Sequence, residues 1–420
     1  MRTLRLRRLL SLVLLGTCAL GLTLPATAQK KRDKDLPANH IANDPYTEGD
    51  PEAVERAGYF ATGGFEFAAS DTATIDARYP KETIVWLETE HFQLGCALPA
   101  QTIKKKEKKA VARELDGLRE RIPTIPKNVR KLDSWLVAHL YADRLERVYA
   151  RVQGLLGVDD SMFPDRALEM FDSSKKFMGM GPYLGQRGKF EVLLLPKALP
   201  EHFCREEFGK LITDASLRWN VMDRDTLIAI VSGEALDSSS PRALYGHLAY
   251  NLSINLLDGY KHYNYDIPVW LKTGLGHLIE REVTWEHNTF DMNEDGERQL
   301  LPGGEWTKQA LKLARKNDLP LMAELVAAQD FGDLDVAGHV AAWAYTRFLT
   351  ETNPEGYAAY LDHLTGLLNE DGIPDGEGMF GHARDAAKQH LGMNYLLLDE
   401  AFLAWLQAAD PLIDPVKRDD

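Results

Sequence analysis

Leu244-Tyr245-Gly246-His247-Leu248-Ala249-Tyr250-Asn251-Leu252 and Pro268-Val269-Trp270-Leu271-Lys272-Thr273-Gly274-Leu275-Gly276-His277-Leu278-Ile279-Glu280 read as two helical segments separated by a short connection. Their reading decides the fold and the chemistry together. Gly246, His247 and Tyr250 lie in the first segment and Thr273 in the second, and His277 follows one turn after Thr273. Two imidazoles one helical turn apart share a face and can hold one ion at about 2.1 Å. No two of the chain's 12 histidines stand at that spacing.

Outward from this pair, the chain after Pro241 is helical in pattern, with loops expected at 286–306 and 369–378. Apolar residues recur at three to four positions over 306–316, 335–349, 354–368 and 398–407. Before the pair, β-branched and aromatic runs predict strands at 83–89, 91–94, 189–195 and 225–231. Helical periodicity covers 104–122 and 134–156, and a short helix is expected within 51–69. The fold class expected is α+β, a small N-terminal sheet with helices followed by a mainly helical C-terminal half.

At the N-terminus, Arg2, Arg5, Arg7 and Arg8 precede an apolar run from Leu9 to Leu24, and Ala26-Thr27-Ala28 forms a small-x-small cleavage site. This is the pattern of a secretory signal at 1–28, which predicts a secreted or periplasmic protein. Cys18 loosely suggests a lipoprotein box, but Thr17 is a poor residue before it. Residues 29–50 are rich in charge and proline and read as a flexible leader. The regions expected beyond are 51–184, a strand-and-helix region, 185–408, the main domain, and 409–420, a tail.

The net charge is −14 at pH 7; loss of the four signal arginines takes it to about −18. Such a chain repels nucleic acid and anionic membrane surfaces. The basic run Lys104-Lys105-Lys106-Glu107-Lys108-Lys109 reads as a solvated helix face, because acids return at Glu114, Asp116 and Glu120. Beyond the signal no apolar run reaches the length of a membrane span. Cys96 and Cys204 are too few for a disulfide framework, though the two could pair in an oxidising compartment.

The helix pair resembles the core of gluzincin, or peptidase MA-like, zinc metallopeptidases, in which H-E-x-x-H is followed about twenty residues later by a segment like P-x-W-L-x-E-G-L-A. Pro268-Val269-Trp270-Leu271 and Gly274-Leu275 keep that frame, and Trp343-Ala344-Tyr345-Thr346-Arg347-Phe348-Leu349 and Phe402-Leu403-Ala404-Trp405-Leu406 look like the family's later helices. The resemblance spans 185–408 and implies a thermolysin-like catalytic-domain architecture. It also implies that the ligands are lost, with Gly246, His247 and Tyr250 in place of H-E-x-x-H and Thr273 in place of the glutamate. Glycine offers no ligand atom, tyrosine is protonated near neutrality, and threonine is a weak donor to zinc. No general base remains beside a metal-bound water.

The expectation is therefore a protein without zinc at this position and without catalysis, binding a peptide, glycan or protein ligand through the former cleft or serving as a structural envelope component. Tyr250 would lean into the space of the lost metal and bond Thr273. The competing expectation is an active metal-dependent hydrolase with displaced ligands, rebuilt from His247 and His277 with His262 nearby. His277, Trp270 and Tyr263 are the cleft-binding candidates, although the aromatics Tyr260, Tyr263, Tyr265, Trp270 and Trp285 suit a packed core equally.

Three further patterns point to other chemistries. Asp291, Asn293 and Asp295, with Gly296, match the first half of a calcium loop; Pro302 stands where the bidentate glutamate belongs, and Glu297 or Glu305 would close the shell around a bound calcium. Ser173-Ser174-Lys175-Lys176, Ser253-Ile254-Asn255 and Lys272-Thr273-Gly274 spell the penicillin-binding S-x-x-K, S-x-N and K-T-G at the wrong spacing. The glycine-rich run 178–185 leads towards a strand, not a helix N-terminus, and fails as a phosphate cradle.

Overall fold

In the computed structural model, described for residues 36–197, 205–207, 216–233, 241–291, 298–302 and 304–408, the main elements follow in chain order. They are strands β1 (Val85–Glu88) and β2 (Phe92–Cys96), helices α1 (Lys108–Arg121) and α2 (Ser134–Leu156), and strands β3 (Phe190–Leu195), β4 (Leu217–Val221) and β5 (Thr226–Ser232). Helices α3 (Pro241–Asp258) and α4 (Val269–Val283) come next, then strands β6 (His287–Asp291) and β7 (Arg298–Pro302). Helices α5 (Trp306–Lys316), α6 (Val336–Thr352), α7 (Pro354–Leu364), α8 (Met379–Ala386) and α9 (Tyr395–Ala408) complete the chain.

One five-stranded mixed sheet has the order β1-β2-β3-β5-β4. β2, β3 and β5 run parallel, and β1 and β4 close the two edges antiparallel. β3 and β5 are buried at every position, as strands covered on both faces require. Their side chains alternate between two cores. Val192, Leu194, Leu227 and Val231 face the large core shared with the helices, whereas Leu193, Leu195, Ile228 and Ile230 face a smaller one with Phe67, Ile75 and Trp86.

Helix α2 is the longest element among the described residues and is buried at most positions along its length, capped by the Asp133 side chain on Leu136 N and ended by Gly157 at φ 66°. Helices α3 and α4 are buried on all sides, which puts them at the centre of the helical half. Three glycines permit the close approach. A Cβ on Gly246 would collide with the Thr284 side chain, one on Gly276 would lie 2.8 Å from the Tyr250 ring, and one on Gly274 would lie 2.6 Å from the Ala342 carbonyl of α6.

The chain is thus α+β with a small mixed sheet. The helices at 134–156 and 306–316 and the strands at 85–88, 92–96, 190–195 and 226–232 lie where the periodicity put them, to within a residue or two at most ends. Three expectations need correction. Residues 38–50 of the expected leader are docked: buried Asp44 accepts from His139 Nε2 at 3.1 Å and from Tyr46 N at 3.0 Å, and Tyr46 Oη donates to Asp133 at 2.5 Å. Burial alone would raise the Asp44 carboxyl, but the bonds to His139, Thr47 and Tyr46 hold it below its ordinary value.

Second, β1 and β2 pair with β3 in one sheet, so the regions expected on either side of residue 184 fold together within one unit, Ala38–Asp420. Third, the loop expected at 286–306 contains the antiparallel hairpin β6–β7. The signal at 1–28, the start of the leader and the tail at 409–420 lie outside the described residues. Among the described residues no helix is long and apolar enough to cross a membrane.

Gly274→Ala is expected to destabilise the fold by about 1–3 kcal/mol through overpacking against α6. Gly117→Ala, on an exposed face of α1 where an added Cβ meets nothing within 4 Å, is expected to stabilise by about 0.5–1 kcal/mol. Urea titrations of the two variants check both signs.

Candidate functional site

The four positions of the helix pair are buried beside a polar network that joins α3, α4, β4, β6 and α6. Gly246 is pressed against α4 and presents nothing. His247, one position on, is buried; its Nε2 lies 2.6 Å from Ser216 Oγ and its Nδ1 2.8 Å from Thr289 Oγ1. Thr289 in turn donates both its backbone N–H, at 2.8 Å, and its hydroxyl, at 2.7 Å, to Glu280 Oε1. A threonine hydroxyl has one proton, and giving it to Glu280 leaves the oxygen to accept from His247 Nδ1–H. His247 Nε2 then accepts from Ser216, and Asn251 Nδ2 stands 3.3 Å away.

The second oxygen of Glu280 meets His277 Nδ1 at 2.8 Å, and His277 Nε2 meets His339 Nδ1 at 2.9 Å. At that distance one neutral ring donates its N–H to the other. Burial drives Glu280 up to about 8, against the pull of Thr289, Asn288 and Arg281. Burial, with Arg281 close by, holds His277 well below its ordinary value. Burial, together with His277, takes His339 down to about 3. Both rings are neutral imidazoles around physiological pH.

A second branch surrounds Tyr250. Its phenol donates to Asp291 Oδ2 at 3.2 Å, and the same oxygen receives Arg218 at 3.3 Å, while Arg218 also bonds Asn251 Oδ1 at 3.0 Å. Burial and the Asp291 charge push the phenol well above its ordinary value. Thr273 lies near enough to offset part of that rise, yet its hydroxyl forms no hydrogen bond of its own. The partner of the phenol is therefore Asp291, not Thr273.

His247 and His277 are connected through Thr289 and Glu280, but both ring nitrogens of each are engaged by protein atoms. They do not offer lone pairs to a common point. His262 is elsewhere, beside Phe177. Trp270, 1 % exposed, and His277, fully buried, are core residues and cannot meet a ligand; of the three cleft-binding candidates Tyr263, 37 % exposed, reaches solvent. Asp291 is buried in β6 and held by Arg218 and Tyr250, so it is not a solvent-facing loop ligand for calcium. Asn293 and Asp295 lie outside the described residues. Cys96 is a free buried thiol, pushed up to about 12 by burial, and Cys204 lies outside the described residues.

Ser216, Arg218, Glu280, Thr289, Asp291 and His339 were not foreseen in this network. Only Glu280 left a local signal, three residues after His277 on the same helix face. The K-T-G lysine, Lys272, is buried against Asp258 and the Tyr265 carbonyl. A cleft of 430 Å³ opens to solvent beside the start of α4, with Tyr265, Lys272, Phe331 and Phe380 in its walls. Tyr265 and Phe380 are 51 % and 56 % exposed. Comparison with protein-family models, curated proteins and solved structures returned no match.

The shifts of the three core groups predict a pH optimum of stability. His277 and His339 take up protons near pH 6.5 only in the unfolded chain, so their contribution is present above 6.5 and is lost as pH falls. Glu280 is opposite: its contribution is full below 4.5 and is lost as pH rises through about 8. Each unmatched proton is worth about 1.4 kcal/mol per pH unit. Melting temperature is therefore expected to peak near pH 6.5 in a scan from pH 4.5 to 8.5. His339→Gln is expected to flatten the acid limb and Glu280→Gln the alkaline one.

Proposed function

We propose that this chain is an exported peptidase-like protein of the gluzincin kind that works by binding and not by zinc hydrolysis at its helix pair. The observation that carries the reading is that every ring nitrogen of His247 and His277 is engaged by a protein hydrogen bond, in an interior where Gly246, Tyr250 and Thr273 add no ligand trio. A zinc hydrolase needs an open coordination position for water; here the centre is buried and its carboxylates, Glu280 and Asp291, are satisfied by Thr289, His277, Arg218 and Tyr250.

The binding surface in this reading is the 430 Å³ cleft beside α4. Exposed aromatic rings next to a polar rim suit an extended peptide, a glycan or a loop of a protein partner. The signal at 1–28 delivers the chain to the periplasm or beyond the cell, where such ligands are met.

The test pairs a hydrolysis assay with a binding screen. The protein, with and without added zinc, is expected to leave a casein and peptide-library substrate intact. It is expected to capture ligands from peptide and oligosaccharide arrays, with affinity reduced about tenfold or more by Tyr265→Ala or Phe380→Ala, in the range of an interface anchor. Hydrolysis that is zinc-dependent and lost in His277→Gln would overturn the reading, as would array binding indifferent to both cleft variants.

A further inference from the structure

His91 sits in the tight turn between β1 and β2, where Thr89 N donates to the Phe92 carbonyl at 2.8 Å. Its side chain is 9 % exposed. Glu146, on α2, clamps it twice: one carboxylate oxygen accepts from the His91 backbone N–H at 3.1 Å, and the other lies 2.7 Å from Nδ1. The ring is stacked on Tyr149 with centroids 3.8 Å apart, which fixes its plane. Nδ1 therefore carries the proton, and Nε2 is the lone-pair nitrogen of the neutral ring.

That lone pair is aimed at another acceptor. Nε2 stands 3.3 Å from Asp160 Oδ2, while Asp160 Oδ1 is held at 2.7 Å by Gln153 Nε2. Glu90, adjacent in the turn and exposed, completes a set in which one ligand atom from each of Glu90, His91 and Asp160 lies within 4.8 Å of the other two. The nearby ammonium of Lys189 is committed to Glu88 at 2.9 Å and to the Thr89 carbonyl at 2.6 Å.

Two acceptors 3.3 Å apart draw a cation between them, a proton or a metal ion. A proton on Nε2 would make one charge-assisted bond, for which 3.3 Å is long against the usual 2.7–2.9 Å. Two ligands of a tetrahedral ion bound at about 2.0–2.1 Å stand about 3.4 Å apart, close to the separation found here. A small swing of the exposed Glu90 side chain supplies the third ligand. The carboxylate on Nδ1 is the outer partner that metal-bound histidines ordinarily have, and Gln153 plays the same part for Asp160.

We propose that His91 Nε2, Asp160 and Glu90 form a divalent transition-metal site, selective for Zn²⁺ over Ca²⁺ because an imidazole is among its three ligands, with the remaining position open to water. The site is on the sheet edge and the end of α2, on elements other than the α3–α4 pair. It ties the β1–β2 turn to the segment that follows α2.

Isothermal titration of the full-length protein with ZnCl₂ tests it. One Zn²⁺ per chain is expected, undiminished by excess CaCl₂. Asp160→Asn and Glu90→Gln, both at exposed positions, are each expected to weaken binding about tenfold or more, and Glu146→Gln, a positioning variant, by about 10–100-fold, with circular dichroism of the metal-free variants unchanged. Zinc should also shift the His91 ring ¹⁵N resonances in NMR spectra. Absence of stoichiometric binding, affinity indifferent to Asp160→Asn and Glu90→Gln, or loss of the zinc in His247→Ala would overturn the assignment.

Discussion

Glu280 is a carboxyl group in the middle of the protein, held above its ordinary value by burial, and the cost of burying it organises the elements around it. A buried polar group left without partners costs about 1–3 kcal/mol, so the carboxyl must be met from all sides. It is met by the Thr289 N–H and hydroxyl, by Asn288 and by His277. Those donors belong to α4 and β6, so the hairpin has to fold back over the helix for the group to be satisfied. His277 then reaches His339 on α6, and Thr289 reaches His247 on α3. A parallel set, Arg218 with Asp291 and Tyr250, fastens the edge strand β4 to the same hairpin.

The hydrogen bonds depend on helix spacing that glycine makes attainable. Gly246 lets α3 meet Thr284, Gly276 accepts the face of the Tyr250 ring, and Gly274 lets α6 lie on α4. With larger residues there the donors and acceptors of the network would be held apart, and unpaired polar groups in the interior cost more than the contacts gain. The result is a closed centre. The cleft beside Tyr265 and Phe380 and the Glu90, His91 and Asp160 group both lie away from it, towards solvent.

Much of the fold was legible because its elements are periodic over several turns or are continuous apolar runs. Ser134–Leu156 and Phe190–Leu195 are of this kind. β4 was not, since Leu217–Val221 reads LRWNV and only Leu217 in it is buried. Nor was the β6 strand, HNTFD, whose polar residues look like a loop until Glu280 and Arg218 are placed against them. Asp44 misled in the same way: its charge suggested a solvated leader, while its partner, His139, lies far along the chain in α2.

The sequence by itself determined the helix pair, the strands of the sheet's centre and the lack of an i, i+4 histidine ligand pair, because each is a matter of local spacing. Tertiary structure alone decided that Tyr250 would bond Asp291, that His277 would meet His339 across 62 positions, and that His91 would face Asp160 across 69. Hydrogen bonds between distant residues carry no periodicity; they form where packing brings a donor to an acceptor and excludes the water that would otherwise satisfy both.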